Sequence, residues 1–289
     1  MIGFGGRSSP CVFLLGYFDA VHIGHRALIA RAKEIASELE IETGALTFTG
    51  GKKGAQVYVL KERERILSSL GVGFLYEADF ESPFRDLSGE AFLETVADRC
   101  GVRAFVCGDD FRFGKGASCG ADFLKRFCRE REIEAEVLPL ISFEGEKVSA
   151  TLAKKYHDEG NIPKLNAVLG GKYFISGRVA TEGRHVGRSL GFPTANLHPE
   201  PDKYPLSEGV YAVSVPLDGR EYRGIANFGP RPTFGDGRVV CETYIDGYSG
   251  DLYGKELTVY FDFRIRDVRK FSSQEELRRQ LQRDLEKIR

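Results

Sequence analysis

The chain has 289 residues, 42 % of them hydrophobic, enough to bury a substantial core in one large or two ordinary domains. Lys and Arg total 41 against 42 Asp and Glu, and the resulting formal charge of −1 argues against a general nucleic-acid binder. No apolar run approaches the roughly 20 residues of a membrane span, and Met1-Ile2-Gly3-Phe4-Gly5-Gly6 lacks a signal-peptide pattern, so a cytoplasmic chain without a membrane partner is expected.

In chain order, Val12-Phe13-Leu14-Leu15 reads as a buried strand, and Leu28, Ala32, Ile35 and Leu39 recur at helical spacing after it. Between them lies Gly16-Tyr17-Phe18-Asp19-Ala20-Val21-His22-Ile23-Gly24-His25. This puts His22 and His25 near a helix N-terminus, where unpaired N–H groups and the positive end of the dipole favour an anion. Two imidazoles add donors for phosphate oxygens, and Gly24 lets the backbone approach. Strands over 45–48, 74–76, 104–107 and 135–138 then alternate with helices over 60–70, around 92–97 and around 123–127. That alternation predicts a doubly wound parallel sheet, with ligands beyond the carboxyl ends of its strands. A helix from Thr151 to Glu159 and a connector to Leu169 follow, and the boundary falls at Gly170-Gly171, giving domains 1–170 and 171–289.

Beyond the boundary, strands over 173–179, 210–215, 222–226, 240–245 and 257–263 are separated by Gly, Pro, Asp and Asn. Antiparallel closure into a small β-barrel is expected. A terminal helix follows, with Ser272 and Glu275 as a capping box and Leu277, Leu281, Leu285 and Ile288 on one face. The six cysteines (Cys11, Cys100, Cys107, Cys119, Cys128 and Cys241) show no Cys-x-x-Cys pair or metal-ligand spacing and read as reduced thiols.

Four further segments carry chemistry. Gly108-Asp109-Asp110-Phe111-Arg112-Phe113-Gly114-Lys115 sets carboxylates, bases and glycines at a strand end. In Gly183-Arg184-His185-Val186-Gly187-Arg188-Ser189-Leu190-Gly191-Phe192-Pro193-Thr194-Ala195-Asn196, glycines permit a phosphate wrap and arginines supply charge. Thr194 and Asn196 there offer the hard oxygens that Mg²⁺ prefers. Asn227-Phe228-Gly229-Pro230-Arg231-Pro232-Thr233-Phe234 and Cys241-Glu242-Thr243-Tyr244 complete the set.

The first histidine motif resembles the nucleotidyltransferase signature. Together with Gly-Phe-Pro-Thr-Ala-Asn and Gly-x-Arg-Pro-Thr-Phe, the chain resembles the bacterial bifunctional riboflavin kinase/FAD synthetases over essentially its whole length. The resemblance implies a Rossmann-like nucleotidyltransferase domain that adenylylates FMN to FAD with release of pyrophosphate. It also implies a riboflavin kinase barrel with a terminal helix that phosphorylates riboflavin to FMN. ATP is the co-substrate, Mg²⁺ the metal, and the oligomeric state is not read from sequence.

The implied catalytic residues are Glu242, His22 and His25, with Glu242 as the base for the ribityl hydroxyl. The implied ATP and phosphate contacts are Gly16, Phe18, Asp19, Gly24, Ser149, Thr151, Lys154, Gly183, Arg184, Gly187 and Arg188. Flavin contacts are Asp110, Phe111, Arg231, Thr233 and Arg266, and the metal ligands are Thr194 and Asn196. Ser149-Ala150-Thr151-Leu152-Ala153-Lys154 departs from the family's Ser-Ser-Thr-x-x-Arg by one hydroxyl and by Lys for Arg, which loses the bidentate fork. Ala20 stands where Gly is usual, and Thr49-Gly50-Gly51-Lys52 replaces an Asp-Pro-His-Pro turn. The alternative is therefore a riboflavin kinase alone, its first domain an impaired nucleotide-binding or structural partner.

Overall fold

The computed structural model describes residues 9–49, 54–79, 83–181, 194–230 and 239–289. The chain divides into two compact units, Met1–Leu152 and Ala153–Arg289.

In the first unit, β1 (Cys11–Leu14), β2 (Glu42–Thr49), β3 (Phe74–Asp79), β4 (Val102–Gly108) and β5 (Glu134–Leu138) form one sheet in the order β3-β2-β1-β4-β5. Every pairing is parallel. The crossovers are α1 (Ile23–Glu38), α2 (Leu60–Ser69), α3 (Gly89–Cys100) and α4 (Ala121–Glu130). β1 is buried at all four residues, as a central strand covered on both faces must be. Phe13 and Phe105 on neighbouring strands meet edge to face at 6.3 Å, and Leu46, Leu93, Val96 and Leu124 fill the space around them. Helix ends follow local chemistry: the Ser88 hydroxyl accepts from Ala91 N at 3.1 Å, and Gly101 closes α3 at φ 62°. Strand order reverses between β1 and β4, so a crevice opens beyond their carboxyl ends. A two-residue hairpin, β6 (Ser142–Phe143) with β7 (Glu146–Lys147), follows β5 and was not anticipated from sequence.

Helix α5 (Ala150–Glu159) carries the chain into the second unit, and α6 (Ile162–Leu169) starts where the Asn161 side chain accepts from Lys164 N at 3.3 Å. Helix α6 holds to the sheet beyond it: Asn166 Nδ2 donates to Phe261 O at 2.9 Å, and Tyr173 N donates to Asn166 Oδ1 at 2.7 Å.

The second sheet contains β8 (Phe174–Arg178), β9 (Thr194–Leu197), β10 (Gly209–Leu217), β11 (Arg220–Pro230), β12 (Val239–Ile245) and β13 (Glu256–Arg266). Its order is β8-β13-β10-β11-β12-β9, antiparallel throughout. Ala180 N donates to Asn196 O at 2.9 Å, drawing the end of β8 toward β9 and nearly closing the barrel. The terminal helix α7 (Gln274–Glu286) sets Leu285 and Ile288 against Val210, Ala212 and Ile225. Its cap lies one residue later than expected. Ser273 accepts from Glu276 N at 3.2 Å, while Glu276, not Glu275, reaches back to Ser272 N at 3.0 Å.

His157 on α5 is fully buried, its ring edge-on to Tyr173 at 4.4 Å and to Tyr204 at 5.8 Å. Neither ring nitrogen has a hydrogen-bond partner among the described residues. Burial first, then the cations of Lys203 and Lys154, lowers its pKa from 6.5 to about 3. The unfolded chain therefore binds this proton more readily. The stability contributed by neutral His157 is complete above pH 6.5 and falls by about 1.4 kcal/mol per unit as pH drops toward 3. Thermal melts should show His157→Phe raising Tm at neutral pH and flattening the loss between pH 6.5 and 4; an unchanged acid slope would contradict the assignment.

Candidate active sites

A cavity of about 1020 Å³ fills the crevice of the first unit, at the upper end of the range for ligand pockets. Its wall includes Gly16, Phe18, Asp19, His22, Gly24, His25, Asp110, Phe111 and Ser149 from the expected set. Two loops from neighbouring strand ends supply about half of it, as the strand-order reversal requires.

The loop after β1 is held in an unusual backbone path. Phe18 and Val21 adopt φ values of 57° and 41°, and for a β-branched residue like Val21 that is strained. Asp19 anchors the loop: its Oδ1 accepts from Val57 N at 2.7 Å, and its carbonyl accepts from Tyr58 N at 3.2 Å. A Cβ on Gly16 would meet the Phe18 ring at 2.9 Å, so only Gly lets that ring fold back. Phe18 in turn packs 4.8 Å from the His25 ring.

His22 is the N-cap of α1, its Nδ1 accepting from His25 N at 3.3 Å. The two imidazoles stack nearly parallel with centroids 3.7 Å apart. Burial lowers the His22 pKa to about 4, opposed by Asp110 and aided by Lys147. At neutral pH the ring is uncharged, and because Nδ1 accepts, the proton sits on Nε2 as a donor. Gly24 leaves room for this: a Cβ there would stand 3.2 Å from the His22 ring.

Sequence reasoning missed Arg63. This α2 residue is 1 % exposed and donates to Tyr17 O at 3.1 Å and Phe48 O at 3.4 Å, its guanidinium 5.2 Å from the Tyr17 ring. Tyr17 stacks on Phe48 at 5.7 Å, so one cation pins the loop after β1 to the end of β2. The available signal was an arginine on the apolar stripe that Ile66 and Leu67 continue. Arg63→Met should lower the stability of the first unit by roughly 1–3 kcal/mol, because two half-buried carbonyls lose their donor. Differential scanning calorimetry with two resolved transitions would show it; an unchanged first-unit transition would refute the pinning role.

The remaining first-unit candidates divide. Asp110 lies on the cavity wall with its Oδ2 2.5 Å from Lys147 Nζ, and Phe111 stacks on Phe113 at 5.7 Å. The Ser149 hydroxyl accepts from Leu152 N at 3.2 Å at the start of α5, beside Ala150 on the wall. Thr151 is exposed on the helix and does not line the cavity. Lys154 belongs to the second unit, its Nζ 5.0 Å from the Tyr204 ring.

In the second unit, register builds the site. Glu242 on β12 lies opposite Asn196 on β9 and Asn227 on β11, and Tyr244 lies opposite Thr194. Opposed residues share a face, so Thr194, Asn196 and Glu242 project together on the side where α7 packs. The alternate residues Cys241, Thr243 and Leu197 are fully buried in the barrel. Thr194 Oγ1 donates to Glu242 Oε1 at 2.8 Å. Asn196 is 4 % exposed, and its Oδ1 has no hydrogen-bond partner among the described residues. Arg266 gives its guanidinium to α7: Nε donates to Asp284 Oδ2 at 2.9 Å, and Asp284 is fully buried. Gly183, Arg184, Gly187, Arg188, Arg231 and Thr233 lie outside the described residues.

Comparison with known proteins follows the same division. Residues 6–152 match the family model for FAD synthetase, and residues 169–289 that for riboflavin kinase. A bifunctional riboflavin kinase/FMN adenylyltransferase from Pseudomonas fluorescens is 33 % identical over 285 residues, spanning 95 % of this chain and 91 % of its own length. One from Listeria monocytogenes is 31 % identical, spanning 94 % and 90 %. A crystal structure described as a macrolide-efflux protein from Streptococcus pneumoniae is similar at TM-score 0.88 and 31 % identity, over 99 % of this chain and 97 % of that chain. Efflux is stated of that protein alone; among the described residues here, no helix is long and apolar enough to cross a membrane. Both models match, in order, within one chain that its relatives span almost end to end, and the chain belongs to the bifunctional riboflavin kinase/FMN adenylyltransferase family.

Proposed function

We propose that riboflavin is phosphorylated at Thr194, Asn196 and Glu242, within residues 171–289, and that the product FMN is adenylylated in the cavity at His22 and His25, within residues 1–170. The observation that carries the kinase assignment is the Thr194 hydroxyl bonded to the Glu242 carboxylate beside the buried amide oxygen of Asn196, which has no partner among the described residues. Thr194 engages Oε1, which leaves Oε2 to take the proton of the ribityl hydroxyl as that oxygen attacks the γ-phosphate of ATP. Phosphoryl transfer of this kind rests on positioning and charge, with one base.

Asn196 Oδ1 and Thr194 Oγ1 are hard oxygens suited to Mg²⁺, which takes few protein ligands and completes its shell with water and phosphate. Among the described residues no cluster of three His, Cys, Asp or Glu offers a protein-only cage. When bound, the ion would neutralise phosphate charge; Thr194 and Asn196 would fix where that happens. Arg266, held by Asp284, would border the flavin as part of a rigid wall instead of a mobile cation.

In the cavity, neutral His22 donates through Nε2–H toward the α-phosphate, with His25 stacked behind it and the first turn of α1 adding its dipole. The Ser149 oxygen accepts from Leu152 N and keeps its own proton to donate to phosphate. The FMN phosphate then attacks the α-phosphorus in line and expels pyrophosphate, with no enzyme-bound intermediate. A cytoplasmic setting accords with six cysteines in the thiol form, five of them buried.

The test is incubation of the pure chain with ATP, Mg²⁺ and riboflavin, with FMN and FAD followed by chromatography. Both products are expected in succession. FMN without FAD would leave only the kinase assignment, and neither product would overturn both.

A further inference from the structure

The residues of β11 alternate between two environments. Ala226 and Phe228 are buried in the barrel, while Ile225, Asn227 and Gly229 turn to the side that Glu242 shares. On that side Leu285 and Ile288 of α7 close over Ile225. The Glu208 side chain lies over Gly229, where a Cβ would stand 3.6 Å from its Cγ. Asn227 stays exposed between these two covers, so its amide forms an open stretch of floor.

Register sets this amide in a row. Asn196, Glu242, Asn227, Val210 and Arg266 stand opposite one another across β9, β12, β11, β10 and β13. Neighbouring strands lie about 4.8 Å apart, so Asn227 is one spacing from Glu242 and Arg266 is three. Thr194 and Asn196 both sit on the β9 side of Glu242, which places metal and γ-phosphate there. The alcohol substrate therefore leaves the base in the other direction, over β11. Its ribityl chain is longer than one strand spacing and shorter than three, and crosses Asn227 before the ring meets α7 and Arg266. Each secondary hydroxyl of that chain both donates and accepts, and a carboxamide offers both functions. Val210, the next residue in the row, is buried against Leu285 and offers neither.

We propose that Asn227 determines specificity in riboflavin phosphorylation by bonding the secondary hydroxyls of the ribityl chain. A site that hydrogen-bonds a substrate hydroxyl rejects the analogue lacking it, because the site's own polar group is then left unpaired. The inference rests on Glu242 being the base of that reaction, which Glu242→Gln tests separately.

The experiment compares riboflavin with the flavin whose ribityl chain is replaced by 5-hydroxypentyl, which keeps the primary hydroxyl and lacks the secondary ones. The full chain is assayed with each as wild type, Asn227→Leu and Asn227→Ala. Where the analogue turns over too slowly, its inhibition constant against riboflavin is measured instead. In both variants kcat/KM for riboflavin should fall by about tenfold or more, while the value for the analogue stays within threefold of wild type. FMN adenylylation on the same preparations should be unchanged. The proposal falls if both flavins lose equally, if riboflavin loses less than threefold, or if Leu is defective and Ala is not. Loss of phosphorylation in Glu242→Gln beside an unaltered preference in the Asn227 variants would reject this inference alone.

Discussion

Glu242→Gln is expected to lower kcat for riboflavin phosphorylation by about 10²–10⁴-fold while FMN adenylylation continues within twofold of wild type. Gln keeps the volume and can still accept from Thr194, so the 2.8 Å contact survives. What is lost is the basic oxygen. The side chain points away from the barrel interior, where Cys241 and Thr243 carry the packing of β12, so the fold should not register the change. Separate incubations with riboflavin and with FMN, each followed by chromatography, measure the two steps independently. Failure of both in a variant that melts like wild type would refute the division of chemistry between the units.

His22→Asn carries the other large effect: adenylylation should fall by about 10²–10³-fold with little change in melting. Asn Oδ1 occupies the position of His Nδ1, one bond from Cγ, and so keeps the cap to His25 N. His22→Ala removes cap and donor together and should also cost about 1 kcal/mol in stability. The contrast separates chemistry from folding: equal melting losses in both variants would mean that the cap was not replaced, and full activity in His22→Asn would exclude the imidazole from the reaction. The pH dependence follows from the same residue. With its pKa lowered to about 4, the ring stays neutral above that value, so His22 contributes no rise or fall in rate between pH 5 and 8.

Much of this was legible in the sequence because it is local. The buried run before Gly16 and the helical spacing after His25 located the first motif at a strand end, and the strand-helix alternation gave the doubly wound order. Thr194, Asn196 and Glu242 were each legible as residue types, but their meeting is a matter of register between β9 and β12, some 46 residues apart in the Asn196 to Glu242 pair. No local pattern encodes that pairing. β9 itself was hidden, since three of its four residues end a glycine-rich motif that reads as a loop.

The missed residues follow the same logic. Arg63 is one of several charges on α2, and only the carbonyls of Tyr17 and Phe48, brought from two other strand ends, make it structural. Lys147 lies on a hairpin too short to show alternation. The cap on α7 shifted by one residue because Ser272 and Ser273 are both competent, and the helix start selects between them.

The two-faced character of β12 sets how this enzyme can change over evolutionary time. Its odd and even positions serve different masters, the proposed base Glu242 and its neighbours on one side and barrel packing on the other. Substitution at either set leaves the other untouched. Insertion or deletion of a single residue does not, because every side chain beyond it would turn to the opposite face. The strand therefore behaves like a reading frame: open to point changes in specificity or rate, closed to changes in length, with function and fold lost in the same event.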